Sequence, residues 1–237
     1  MGQHAVFFDM DDTLLDGHAA MEASWALVCA EAGEVLSVDP QELRDAIRRE
    51  AMRFWKDESA VEHWRVRLDD ARTLLIKNAL EAEGLDVSRA ERISKDYAAR
   101  HREHLQLFDD ALETLEMLRS AGYRLGLLTN GPAAMQRDKV MRFELEQHFD
   151  VVVIEGEFGK GKPHPEVFRH ALEATGAEPE HTWHVGDNLY ADVGGAKGAG
   201  LRAAWIHRGR LQMDERAKAP PDLSIGHLPE LRDPFGL

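Results

Sequence analysis

The stretch AVFFDMDDTLLD, residues 5–16, carries a short apolar run straight into Asp9, Asp11, Asp12 and Asp16. Residues 5–8 are too few for a helix and read as a central strand buried on both faces, and Asp9 begins where that strand ends. Carboxylates this close repel one another, and a buried charge left unpaired costs several kcal/mol. The cluster therefore calls for a positive partner.

Working outward, three later runs have the same form: YRLGLLTNG (123–131), FDVVVIEGE (149–157) and HTWHVGDN (181–188). Each ends in polar or glycine-containing residues, and helical patterns lie between them at 109–122, 133–148, 164–176 and 189–200. RAAWIHR (202–208) adds a fifth strand, and 222–231 a short edge strand and a turn of helix. Strands alternating with helices predict an α/β fold, a doubly wound parallel sheet of the Rossmann-like kind, with its ligand crevice at the carboxyl ends of the strands. The polar connection 208–221 carries no recognisable motif. Residues 17–107 break the alternation with four helix-like stretches, near 19–32, 40–57, 59–84 and 88–107. The expected division is an α/β core of residues 1–16 and 108–237 and an inserted all-helical cap of residues 17–107, placed as a lid over the first strand's carboxyl end. Trp25, Trp55 and Trp64 in the insertion read as core residues.

The 237 residues suffice for a sizeable core or for a core with an inserted domain. With 29 basic against 43 acidic residues the net charge is −14. Such a surface repels nucleic acid and anionic membranes. No apolar run approaches the ~20 residues of a transmembrane helix. Cys29 is the single cysteine. A lone thiol and the lack of a basic-then-apolar leader predict a cytoplasmic protein without nucleic-acid or membrane partners.

Asp9 and Asp11 are two apart, so in an extended segment they leave on the same side and can meet one ligand. One carboxylate can attack phosphorus to form an aspartyl phosphate; the other can protonate the leaving oxygen and then activate water. The bland alternative for the cluster is a turn with a helix cap. GDNLYAD adds Asp187 and Asp192 behind another apolar run. Hard oxygen ligands from two strand ends suit Mg²⁺, which would offset the repulsion. LLTNG places Thr129, Asn130 and Gly131 where a hydroxyl and backbone N–H groups can grip phosphate oxygens. GKGKPHPEVF offers Lys160 and Lys162 as the cation for the phosphoryl transition state; Lys162 is preferred because Pro163 and Pro165 stiffen the backbone after it.

The ordered set VFFDMDDTL, LLTNG, GKGKPHPEVF and VGDNLYADVGGAKGAG resembles the four motifs of the haloacid dehalogenase superfamily, with a helical cap of its first type between motifs one and two. Within it the chain looks most like the branch of phosphoglycolate phosphatases, N-acylneuraminate-9-phosphatases and house-cleaning nucleotidases. The resemblance implies a Mg²⁺-dependent phosphatase of a small phosphorylated metabolite. It makes Asp9 the nucleophile, Asp11 the acid/base, Lys162 the charge-stabilising cation and Thr129 a phosphate ligand beside Asn130 and Gly131. Asp9, the main-chain carbonyl of Asp11 and Asp187 would hold the metal, Asp192 would bind through water or orient its neighbours, and Thr13 would hold the turn by hydrogen bonding. Asp12 is expected as a turn residue and Asp16 as the entry to the cap. A monomer or weak homodimer is expected. Rival readings are a phosphomutase using the same aspartates, a haloacid dehalogenase, against which Asp11 speaks, and a non-catalytic metal- or phosphate-binding protein. A phosphonate hydrolase would need a cap lysine, and Lys56, Lys77 and Lys95 all read as solvated.

Overall fold

The computed structural model describes residues 3–56, 61, 63–210 and 219–237. The chain divides into two compact units, Met1–Asp16 with Leu107–Leu237, and Gly17–Gln106.

The first unit is built on a six-stranded, wholly parallel sheet in the order β3-β2-β1-β4-β5-β6. Its strands are β1 (Gln3–Phe8), β2 (Arg124–Thr129), β3 (Val151–Ile154), β4 (Ala177–Gly186), β5 (Arg202–Ile206) and β6 (Leu223–Ile225). The chain winds from β1 through β2 to β3, then returns to the other side of β1, so the switch point lies between β1 and β4. Ala5, Val6, Phe7 and Phe8 have no exposed surface, as a central strand covered on both faces requires. On one face Phe7, Leu128 and Val153 pack with Val167, Phe168, Ala171 and Leu172 of helix α8 (Pro165–Thr175). A side chain at Gly126 would clash with Phe7 at 2.6 Å.

The segment expected as one helix over 133–148 is two pieces. Helix α6 (Ala133–Arg142) ends at Phe143, Glu144 takes φ 51°, and a 3-10 turn follows at Leu145–His148. The pattern at 189–200 is likewise divided, into a wide turn at Leu189–Gly194 and the short helix α9 (Gly195–Gly198). Helices α5 (Ala111–Ser120) and α7 (Glu155–Phe158) follow the return from the insertion and strand β3 respectively.

The second unit contains α1 (Gly17–Leu36), α2 (Pro40–Phe54), α3 (Leu68–Ala82) and α4 (Ala90–His104). Val28, Cys29, Leu43, Ile47, Leu75, Ile76, Leu80, Ile93 and Tyr97 form its core. Trp25 stacks on Tyr97 with ring centroids 4.2 Å apart. Trp64 lies 6.0 Å from Phe54, and Trp55 4.9 Å from it. The single helix expected over 59–84 is interrupted: α3 begins only at Leu68, after a turn in which Arg67 donates its N–H to the Trp64 carbonyl. Residues 59, 60 and 62 of that expectation, residue 57 of the helix expected over 40–57, and 211–218 of the expected polar connection lie outside the described residues. No helix among the described residues is long and apolar enough to cross a membrane.

Candidate active site

Asp9, Thr129 and Asp187 stand at the carboxyl ends of β1, β2 and β4, three adjacent strands. Asp9 extends the ladder by donating its N–H to the Val185 carbonyl at 2.9 Å. The chain then turns tightly: Met10 accepts from the N–H groups of Leu14 and Leu15, and Asp12 takes φ 59°. Aspartate tolerates that left-handed conformation better than most residues. The Asp12 carboxylate accepts from Arg210 at 3.1 Å, so the expected turn residue is also anchored to the segment after β5.

Lys162 is 1% exposed and reaches between two strand ends. Its Nζ lies 2.5 Å from Asp9 Oδ1 and 2.7 Å from Asp192 Oδ1. Asn130 fixes the lysine's backbone from both sides: its Nδ2 donates to the Lys162 carbonyl at 2.8 Å, and its Oδ1 accepts the Lys162 N–H at 2.7 Å. The Asn130 side chain, expected beside phosphate, thus ties the second motif to the third. Gly131 donates its N–H to Glu155 Oε2 at 3.0 Å. That donor, expected to be open to phosphate, is engaged within the protein. Lys160 pairs instead with Glu166 at 2.5 Å on the surface.

Asp192 is buried and accepts from three donors. Its Oδ1 accepts from Lys162 and from His184 Nε2 at 2.9 Å, and its Oδ2 from the Asn188 N–H at 3.0 Å. Because a carboxylate only accepts, His184 Nε2 carries the proton. Gly186 makes room for this residue, since a Cβ there would lie 2.3 Å from the Asp192 carboxyl carbon. The turn holding Asp187 is pinned by the Asn188 side chain, which accepts from the Tyr190 and Ala191 N–H groups. It is also held by Trp205, whose indole donates to the Asp187 carbonyl at 2.8 Å.

Carboxylate oxygens of Asp9, Asp187 and Asp192 lie within 4.8 Å of one another. With all three ionised, the carboxylates would exceed the one ammonium of Lys162 by two negative charges. Burial pushes Asp9 up to about 7; Lys162 opposes this and Asp192 adds to it. Burial, then Asp9 and Asp192, raise Asp187 well above the ordinary carboxylate range. Burial would raise Asp192 too, but Lys162 and His184 outweigh it and hold it below that range. Burial alone would lower Lys162, and Asp192 and Asp9 reverse this. His184 is lowered chiefly by burial, which favours its neutral form, against the opposing effect of Asp192. The residues fit a divalent cation: an all-oxygen donor set, a charge excess of two on full ionisation, and an Asp187 carboxylate with no hydrogen bond among the described residues.

The Asp11 carboxylate stands outside that group. Lys139 Nζ of α6 holds it at 2.7 and 2.8 Å, and Gln136 Nε2 at 2.9 Å. The hydrogen bond expected of Thr13 differs as well. Its hydroxyl is buried with no partner among the described residues, while its carbonyl accepts from Arg208 at 2.6 Å. Arg208 also pairs with Asp110 at 2.7 Å and lies over the Phe108 ring. Sequence reading missed Gln136, Lys139, His184, Arg208 and Arg210. The available signal was faint: Gln136 and Lys139 are three apart and so share a helix face.

The sequence matches the haloacid dehalogenase-like hydrolase family over residues 3–200. The chain belongs to that family and is a hydrolase of the HAD type. The phosphoserine phosphatase of Thermus thermophilus is 36% identical to it over 215 residues, 91% of this chain and 74% of that protein. The glyceraldehyde 3-phosphate phosphatase of Pyrococcus furiosus is 37% identical over 129 residues, about half the length of each (54%). The magnesium-bound HAD-hydrolase YfnB of Bacillus subtilis shares the fold at a TM-score of 0.79 and 23% identity, covering 100% of both chains.

Proposed function

We propose that the protein is a phosphatase that hydrolyses a small phosphorylated metabolite through an aspartyl phosphate on Asp9, with Mg²⁺ as cofactor. The observation that carries this reading is the grouping of Asp9, Asp187 and Asp192 about Lys162 at the ends of β1 and β4. The phosphatases among its relatives support the substrate class.

In this reading Asp9 attacks phosphorus while Asp11 protonates the leaving oxygen, and Asp11 then takes a proton from the water that hydrolyses the intermediate. Lys162 holds Asp9 in place and meets the charge that develops on the phosphoryl oxygens. The Thr129 hydroxyl binds one of those oxygens. Asn130 serves by fixing the backbone of Lys162. Asp9 and Asp187 would hold the metal, with Asp192, anchored by His184 and Asn188, at its edge; any part for Asp11 there rests on its main-chain carbonyl. The cation would supply the positive charge that lets a phosphate dianion approach an anionic nucleophile. The helical unit Gly17–Gln106 is assigned the role of cap and of substrate selection.

The test is phosphate release from sugar phosphates, nucleoside monophosphates, phosphoserine, phosphoglycolate and an aryl phosphate, with Mg²⁺ and with EDTA. Release is expected with the metal only, and Asp9→Asn should lower it on the order of a thousandfold or more while the protein stays folded. Release that persists in the variant would exclude Asp9 as nucleophile. A wild-type protein that binds Mg²⁺ and releases nothing would favour a mutase or a binding protein.

A further inference from the structure

We propose that Lys139 and Gln136 are positioning residues that hold the Asp11 carboxylate beside Thr129 for the second, water-activating half of the reaction. This rests on the phosphatase reading.

Both side chains come from one face of α6, 125 and 128 residues away from Asp11 in the chain, and both are buried, at 1% and 9% exposure. Burying an ammonium and an amide is costly unless each is answered. Lys139 is answered by the two oxygens of Asp11 at 2.7 and 2.8 Å. The amide nitrogen of Gln136 faces three acceptors: Asp11 Oδ2 at 2.9 Å, Thr129 Oγ1 at 2.6 Å and the Asn130 carbonyl at 3.0 Å. Two hydrogens serve three acceptors, so a shift of one acceptor re-divides the bonds to the others. The acid/base is thereby coupled to the phosphate ligand Thr129.

The arrangement also separates two cations. Lys162 binds the nucleophile and Asp192, and Lys139 binds Asp11. In the first step Asp9 forms its bond to phosphorus, the bond from phosphorus to the leaving oxygen breaks, and the proton of Asp11 passes to that oxygen. The carboxylate so produced is the species that Lys139 and Gln136 hold. In the second step water attacks phosphorus, the bond to Asp9 breaks, and a proton of the water returns to Asp11.

Pre-steady-state hydrolysis of p-nitrophenyl phosphate with Mg²⁺ tests this, because that leaving group needs little protonation and the second step is exposed. Lys139→Met is expected to give a burst of about one nitrophenolate per enzyme, then turnover slowed tenfold or more, with KM unchanged or lower. Acid-quenched protein should carry hydroxylamine-labile phosphate. In an Asp11→Asn background the same change should cost less than twofold. Should Lys139→Met not fold, Gln136→Leu is expected to give the same burst with turnover slowed at least threefold. Turnover of the variants within twofold of an active wild type, or a loss that multiplies fully onto Asp11→Asn, overturns the proposal and leaves the phosphatase reading standing. A wild type without Mg²⁺-dependent release, or an active Asp9→Asn, overturns both.

Discussion

Lys162 of the α/β unit and Arg49 of the helical unit each hold a carboxylate at nearly the same distance, 2.5 Å to Asp9 and 2.6 Å to Glu83. The lysine side chain is 2% exposed and the arginine 65%. At the strand ends charge is largely buried, and all but the Asp187 carboxylate is held by other side chains or backbone: Lys162 by two aspartates, Asp192 by three donors, Asp11 by Lys139 and Gln136. In the helical unit the interior is aliphatic and aromatic, and ion pairs such as Arg49–Glu83 stand in solvent. The same chemistry therefore has different consequences. In a low dielectric, losing one partner strands the other, whereas in water the partner is simply rehydrated.

The largest expected effect follows from that asymmetry. Lys162→Met removes an ammonium shared by two buried carboxylates and fills its space with an apolar chain. Urea unfolding in EDTA should show a loss of about 3–5 kcal/mol. A loss under about 1 kcal/mol would mean that the strand-end charges are no more coupled than those of the helical unit, and the contrast would fail.

The helical unit should give its largest response to an uncharged change. Trp25 is partly buried and stacked on Tyr97, so Trp25→Ala leaves a cavity and loses an aromatic pair, at a cost of about 2–3 kcal/mol. Thermal unfolding of the variant checks this. A change within error would show that the tryptophan face is not part of what holds α1 to α4.

Tyr97 gives that unit a distinct pH signature. Burial raises its hydroxyl from the ordinary 10.0 to about 12, against a smaller opposing effect of Arg72. The neutral form is favoured on folding, so the contribution is complete below pH 10 and is lost as pH rises toward 12. The loss is on the order of 2 kcal/mol. Denaturant midpoints between pH 9 and 12 should fall more steeply in the wild type than in Tyr97→Phe. Parallel curves would place the phenol in water.

What could be read from sequence follows the same division. An aspartate cluster behind an apolar strand has few physical explanations, so Asp9, Asp187, Asp192 and Lys162 were legible and the structure brings them together. Lys139 and Gln136 were not, because inside a helical pattern they look like a solvated face. Their burial arises only when the sheet order β2-β1-β4 sets α6 against the loop after β1. Gly131 and Thr13 illustrate the converse error. The Gly131 N–H was expected to be open to phosphate, yet Glu155 takes it; the Thr13 hydroxyl was expected to bond within the turn, yet it is buried without a partner among the described residues. The helix expected over 59–84 ran through Arg67 because charged residues keep the helical period even where the backbone turns at 65–67. For the helices of the insertion, apolar spacing gave the elements but no chemistry, since among the described residues no buried charged residue marks a role there.

The smallest expected effect completes the contrast. Arg49 and Glu83 come from α2 and from the residue that ends α3, and their side chains are 65% and 44% exposed. Ordering two long side chains offsets most of what a screened attraction provides, so Glu83→Gln should cost less than about 0.5 kcal/mol and lose even that in 1 M salt. Double-mutant cycles with Arg49→Met, read by urea unfolding at low and high salt, measure the coupling directly. A coupling as large as that of Lys162 with Asp9 would make distance, rather than burial, the variable that decides what an ion pair is worth in this protein.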